Sequence, residues 1–271
     1  MDILKTKLND LEYKNDYTHK LLEAENHFNN IYKVCGNETR YGCGSYLISA
    51  TEYKYSIYNY RKQKLLFDKA KSSENILEIG TYMGHSLLIM LLANPRLNIT
   101  TIDIVDKYSK ASTEYLQKSF PNSKIKFIKG KSLNVLPTLK EKFDLFHIDG
   151  SHKRSIMKKE FVRCITLSKD NNLNMIFDDY GTCKNLNNTI DKSFNVIESE
   201  ITISSYPIVP PITNRFIKIK FENDKKLMDE QLKKFKYLYF IEYLKELPKR
   251  IINFKAILNR IKLALKQLPE K

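Results

Sequence analysis

A chain of 271 residues, 42% hydrophobic and 28% charged, is long enough for one large core with an appended arm. This composition excludes a disordered or collagen-like polymer. No run of about 18 apolar residues occurs, so a spanning helix is not expected. The charged start, MDILKTKLND, has no apolar leader core, which predicts a cytoplasmic rather than a secreted protein. The net charge of +15 is uneven: Lys225–Lys271 holds 13 basic and 5 acidic residues, more than half of the excess. Cys35, Cys43, Cys164 and Cys183 show neither a C-x-x-C pair nor metal-finger spacing and read as reduced thiols.

In chain order, residues 1–33 place Leu4, Leu8, Leu11, Leu21 and Leu22 at helical spacing, predicting one or two amphipathic helices. The stretch CGNETRYGCGSY is a glycine-containing break, followed by a Tyr-rich segment and the helix-like YRKQKLLFDKAK. From Asn75 onward, strand-like runs recur: NILEIG, NITTIDIV, KIKFIKG, FDLFHIDG, LNMIFDD, EITISSY and RFIKIKF. Helical patterns separate the first five, which predicts parallel strands with helices on both faces. The last two runs are separated by PIVPPITN, too short and Pro-rich for a crossover helix, so they should pair antiparallel. The expected fold is α/β: a doubly wound, Rossmann-like seven-stranded sheet, mostly parallel with an antiparallel last strand, plus N-terminal and C-terminal helices. Three regions are expected: a helical cap over 1–70, the sheet domain over 71–224, and a basic amphipathic tail over 225–271. In the tail, Tyr237, Phe240, Leu244, Leu247, Ile251 and onward to Leu268 step by threes and fours, with Pro248 breaking the helix. That seam predicts packing on the core or on a second copy, a homo-oligomer through the C-terminal helices.

Ligands of such a sheet bind beyond the carboxyl ends of its strands. After the first strand comes EIGTYMG, where Gly80 allows a sharp turn and Gly84 a close backbone approach at a helix start. Asp103 closes the second strand, where a carboxylate can accept from both hydroxyls of a ribose. Neither G-x-x-x-x-G-K-[ST] nor G-x-G-x-x-G is present, so the cofactor needs a ribose but no pyrophosphate.

LEIGTYMGHSLL, TIDI, FDLFHIDGSH and IFDDY, in that order over residues 60–221, resemble class I S-adenosylmethionine-dependent methyltransferases. The nearest likeness is to the metal-dependent O-methyltransferases, of the catechol and caffeoyl-CoA type and of the macrocin, sugar-modifying type. The resemblance implies S-adenosylmethionine as cofactor. It places Glu78 and Gly80 at the methionine amine and cofactor backbone, and Tyr82, Gly84 and Ser86 around the methionine carboxylate. Asp103 matches the ribose carboxylate, and Lys131 and Ser132 flank adenine. Asp149, Asp178 and Asp179, at adjacent strand ends, match the metal ligands, and hard oxygen donors suit a divalent ion, Mg²⁺ first. Such an ion would lower the acceptor hydroxyl's pKa and orient it. His152 stands three residues after Asp149, where catechol-type enzymes carry a lysine base, and a pKa near ~6.5 suits that work. His85 reads as structural and His147 as a core histidine.

The amine-methylating signature is absent after the fourth strand, where the chain reads DGSH, which favours a hydroxyl acceptor. With no Trp to gate an aromatic ring, a small-molecule or sugar hydroxyl edges ahead of a catechol. The alternatives are a catechol-type aromatic acceptor, RNA 2′-O-methylation suggested by the charge, and a non-catalytic scaffold docking on an acidic partner. Nucleic acid is not favoured, because the Lys-Asp-Lys-Glu order of many RNA enzymes is not evident.

Overall fold

The computed structural model describes residues 1–37, 45–49, 52–151, 153–178, 184–203, 213–221 and 225–246. Helices α1 (Asp2–Lys5), α2 (Asp16–Glu23) and α3 (Glu25–Val34) come first, then a hairpin of β1 (Tyr46–Ser49) and β2 (Glu52–Tyr55), then α4 (Tyr60–Ala70). The alternating part follows: β3 (Asn75–Ile79), α5 (His85–Ala93), β4 (Asn98–Asp103), α6 (Ser109–Ser119), β5 (Lys124–Lys129) and the single turn α7 (Ser132–Val135). It continues through β6 (Leu145–Ile148), α8 (Arg154–Leu167), β7 (Asn172–Phe177) and α9 (Lys184–Ser193). Strands β8 (Val196–Ile203) and β9 (Thr213–Lys220) and helix α10 (Lys225–Glu246) close the described chain. All seven expected strand runs form. The β1–β2 hairpin, in what the sequence showed only as a Tyr-rich segment, is an addition.

The large sheet has the order β5-β4-β3-β6-β7-β9-β8, with β9 inserted antiparallel between β7 and β8. The chain winds outward from β3 to β5 and then returns to β6 on the other side of β3, so the strand order reverses between β3 and β6. That reversal opens a crevice at the carboxyl ends of β3 and β6. The central strands are buried on both faces, as parallel strands in such a sheet are, while the edge strands β5 and β8 carry exposed positions.

Helix α5, HSLLIMLLA, has no polar face, and Leu87 through Leu91 are all buried. An all-apolar helix needs cover on every side. The N-terminal helices provide it: Leu4, Tyr17, Leu21, Phe28, Ile31 and Phe67 share one core with α5 and one face of the sheet. The opposite face holds a second core, with Phe146, Phe161, Phe177 and Phe235 fully buried.

The tail packs on the core, one of the two expected partners, though not through the expected seam. Helix α10 packs through Phe235, with Met228, Leu232 and Tyr239 beside it, whereas Tyr237 and Phe240 of the expected seam are 64% and 55% exposed. Apolar residues lie nearly all round this helix, so spacing alone does not choose a face. The choice is made by the aromatic partners of Phe235, namely Phe161 at 5.2 Å and Phe194 at 5.6 Å between ring centroids. The rest of the seam beyond residue 246, with Pro248, lies outside the described residues.

Candidate active site

The loop leaving β3 explains its own glycines. Gly80 has φ +98°, and a Cβ there would lie 2.2 Å from the backbone oxygen of Asp149. Glycine is needed because the end of β6 presses against the turn. Gly84, at φ +75°, caps α5 where a Cβ would stand 3.0 Å from Ser112 Oγ on α6. Between them Tyr82 also takes a left-handed backbone, φ +46°, although it carries a side chain. Asp103, at the end of the neighbouring strand, holds it there: Oδ2 accepts from the backbone N–H of Tyr82 at 2.7 Å and of Thr81 at 3.0 Å. Ser109 donates to the Tyr82 carbonyl at 3.0 Å, and the Tyr82 ring meets Tyr108 edge-on. A left-handed non-glycine residue costs about 1–2 kcal/mol, and hydrogen bonds to a charged acceptor, about 1.5–3 kcal/mol each, offset it. Asp103 therefore shapes the loop. Its Oδ1 accepts from Val105 N–H at 3.0 Å, and a carboxylate oxygen with two lone pairs has capacity for a further donor.

Glu78 sits one position inside the strand end and is fully buried. Strand register explains how a carboxylate survives there. Thr101 on β4 and His147 on β6 are its direct cross-strand partners, so the three side chains form one row on one face. Oε1 accepts from Ser86 Oγ at 2.5 Å and meets His147 Nδ1 at 3.1 Å; Oε2 accepts from Thr101 Oγ1 at 2.8 Å. Ser86, in the first turn of α5, is thereby held beside the loop. The carboxylate points into this row and not openly into the crevice.

The adenine candidates lie on the far side of β4. Lys131 is exposed and precedes α7; Ser132 opens that turn and donates to Glu160 Oε1 at 2.5 Å. Glu160 is fully buried on α8, and its Oε2 has no hydrogen-bond partner. Burial pushes its carboxyl above the usual range, with the Ser132 hydrogen bond opposing only in part.

At the ends of β6 and β7, ligand atoms of His147, Asp149 and Asp178 lie within 4.8 Å of one another. Asp178 is buried; its backbone N–H binds Ile148 O at 2.9 Å, which locks the two strand ends together. Its Oδ2 is 2.5 Å from Lys62 Nζ on α4, while Oδ1 is buried with no hydrogen-bond partner. Burial alone would push the Asp178 carboxyl up, but the Lys62 ammonium and His147, with the neighbouring Asp149, hold it below the usual range. Among the described residues, this is the group of side chains able to hold a metal. Asp179 and His152 lie outside the described residues.

Two members of this site were not singled out from the sequence. His147 is buried within its strand, as expected of a core histidine, and also stands between Glu78 and the acidic pair; its cross-strand position opposite Glu78 was the available signal for that. Lys62 had no signal, because its helix precedes the sheet and Asp178 lies 116 positions away. His85 fits its structural reading: it is buried, edge-on to Phe28, with Nε2 3.1 Å from Tyr53 Oη. Cys35 and Cys164 are buried and form no disulfide, while Cys43 and Cys183 lie outside the described residues. No helix among the described residues is long and apolar enough to cross a membrane.

Residues 77–180 match a family described as a methyltransferase domain. O-methyltransferase hkm8 of Aspergillus hancockii is 29% identical over 98 residues, covering 35% of this chain. The chain matches only 39% of that relative's length. Among solved structures, cofactor-bound Rv0187 from MTB superposes with a TM-score of 0.52 at 16% identity, over 77% of this chain and 99% of the other. The O-methyltransferase from Bacillus cereus in complex with SAH gives 0.49 at 15% identity, over 82% and 98%. The shared feature is the fold, a Rossmann-like methyltransferase sheet.

Proposed function

We propose that this chain, with its methyltransferase domain at residues 77–180, is an S-adenosylmethionine-dependent O-methyltransferase acting on a hydroxyl of a small molecule or sugar. The observation that carries the reading is the juxtaposition at the β3/β6 crevice. A loop clamped by Asp103 lies at the strand ends where a ribose-bearing cofactor would bind, and beside it stands an acid cluster in which Asp178 Oδ1 has no hydrogen-bond partner among the described residues. The relative described as an O-methyltransferase supports the same chemistry.

In this reading Asp103 Oδ1 accepts from the ribose, and Tyr82 and Ser86 line the methionine end. The acceptor oxygen attacks the sulfonium methyl in line; the new O–C bond forms as the S–C bond breaks, leaving S-adenosylhomocysteine. The hydroxyl proton would pass to a base, for which His152, three residues after Asp149, is the candidate. Asp178 Oδ1, Asp149 and His147 fit a divalent cation: a buried acceptor without a donor is what an ion would satisfy. Such an ion, when bound, would lower the acceptor's pKa and orient it. A donor set of one imidazole and two carboxylates suits Mn²⁺ or a later first-row ion as well as Mg²⁺.

The test is methyl transfer from labelled S-adenosylmethionine to a panel of nucleotide sugars, glycosides and catechols. Turnover that is lost in chelator and restored by Mg²⁺ or Mn²⁺ is expected. Full turnover in chelator removes the cation from this reading, and failure to bind S-adenosylmethionine at all removes the reading itself.

A further inference from the structure

Lys62 is the residue that the proposed chemistry leaves unexplained. Its side chain is 13% exposed and faces an Asp178 side chain that is 2% exposed, with 2.5 Å between Nζ and Oδ2. Burying a charged pair carries a desolvation penalty that the attraction must first offset, so this contact needs a fixed geometry. The chain provides one. Tyr60, at the start of α4, shares a 2.6 Å hydrogen bond with Thr18, and its hydroxyl also accepts from Asn15 Nδ2 at 2.9 Å. Arg61 is tied to Glu12 through Nε at 2.5 Å and Nη2 at 3.1 Å. Gln63 accepts from Tyr17 Oη at 3.3 Å. The residues on both sides of Lys62 are thus pinned to the N-terminal helices, and the ammonium is held at the one carboxylate that closes the acid cluster.

We propose that Lys62 is a tethered counter-ion that competes with a divalent metal for Asp178. This rests on the cation reading given above. The acid cluster would otherwise concentrate negative charge at the buried Asp178, with the less buried Asp149 beside it. The ammonium neutralises one carboxylate and keeps β7's end in place without a metal. A divalent ion entering at Oδ1 meets that positive charge a few ångströms away and must bind against it or displace it. Lys62 is therefore a positioning residue that weakens metal affinity and preorganises the empty cluster. It also ties the reacting end of the sheet to the N-terminal helices.

The experiment measures Mn²⁺ affinity of the full chain by the loss of free-Mn²⁺ resonance, together with Tm with and without Mn²⁺. It compares the wild type with Lys62→Met and with Lys62→Gln, which keeps a polar head should the first fail to fold. Removing a unit positive charge beside a partly desolvated divalent site should tighten Mn²⁺ binding at least about tenfold. Without metal, Tm of the variants should fall, because Asp178 loses its counter-ion, and saturating Mn²⁺ should raise it by more than in the wild type. A purely structural lysine would lower Tm without tightening the metal. Equal or weaker Mn²⁺ affinity in both variants, with the wild type binding Mn²⁺, overturns the role of Lys62 alone. No Mn²⁺ binding by any of the three at millimolar concentration overturns this role and the cation reading together.

Discussion

Glu78 and Asp178 are buried carboxylates near the carboxyl ends of strands separated only by β6, and the protein treats them in opposite ways. Both oxygens of Glu78 are partnered, by Ser86, Thr101 and His147, in a row dictated by strand register. Asp178 has one oxygen on an ammonium and the other without a hydrogen-bond partner. In the proposed reading, the cofactor half of the crevice is finished from within the chain, whereas the reacting half keeps capacity in reserve. A polar group satisfied by its own fold supports structure; one left unsatisfied in a low-dielectric site is costly unless a ligand completes it. Mutations on the two sides should therefore fail in different ways.

The largest effect is expected at Asp149, on the reserve side. Asp149→Ala should cut methyl transfer about 10²-fold or more, as loss of an electrostatic stabiliser does. Its Tm should stay within about 2 °C of wild type, as for substitutions away from the packed core. Steady-state turnover beside thermal unfolding reads both. A large fall in Tm would mean that the reacting half is as structural as the Glu78 row, and the contrast would disappear.

Glu78→Ala comes next, and should break the fold before the chemistry. It strands three donors and opens a small void, which together cost about 2–4 kcal/mol. In a chain of this size that lowers Tm by roughly 5–15 °C. Glu78→Gln should cost less, because one oxygen is kept. A Glu78→Ala protein with unchanged Tm would show that the row contributes no stability, and Glu78 would have to be read through the cofactor alone.

How far the sequence reached follows the same division. The strand runs, the reversal at β3/β6 and the inserted β9 were legible because apolar runs and connection lengths constrain them. The strand-end acids Asp103, Asp149 and Asp178 were legible for the same reason, since their places follow from where each strand stops. Contacts between distant segments were not. Lys62 meets Asp178, and Ser132 meets Glu160, through the docking of helices whose faces spacing does not rank. Tyr82 shows a further limit: its left-handed backbone could not be read from the sequence, because Asp103, 21 positions away, holds it there. The seam residues Tyr237 and Phe240 do not face the core, because apolar residues surround this helix and tertiary partners decide which face is buried.

Glu160 sharpens the comparison, because it lies beside the cofactor half yet resembles Asp178 in having a stranded oxygen. The difference is the counter-charge. Asp178 has Lys62, and its carboxyl is held below the usual range; for Glu160 burial dominates, a Ser132 hydroxyl offers only partial relief, and the carboxyl is pushed up. The two groups should act on stability with opposite sign. A carboxyl raised in the folded state contributes fully below its unfolded pKa, and that contribution is lost as pH rises through the folded pKa. A carboxyl lowered in the folded state contributes above its unfolded pKa and loses that contribution as pH falls through the folded pKa. Glu160→Gln removes the first titration and keeps an oxygen for Ser132. The variant should match wild type in Tm at pH 4, near the unfolded pKa of a glutamate at about 4.3. Its advantage should then grow with pH and level off once the wild-type carboxyl is ionised. Thermal unfolding across pH 4 to 8 measures that difference. A gap that stays constant with pH would mean that Glu160 titrates alike in the folded and unfolded chains, and that its stranded oxygen costs the fold nothing.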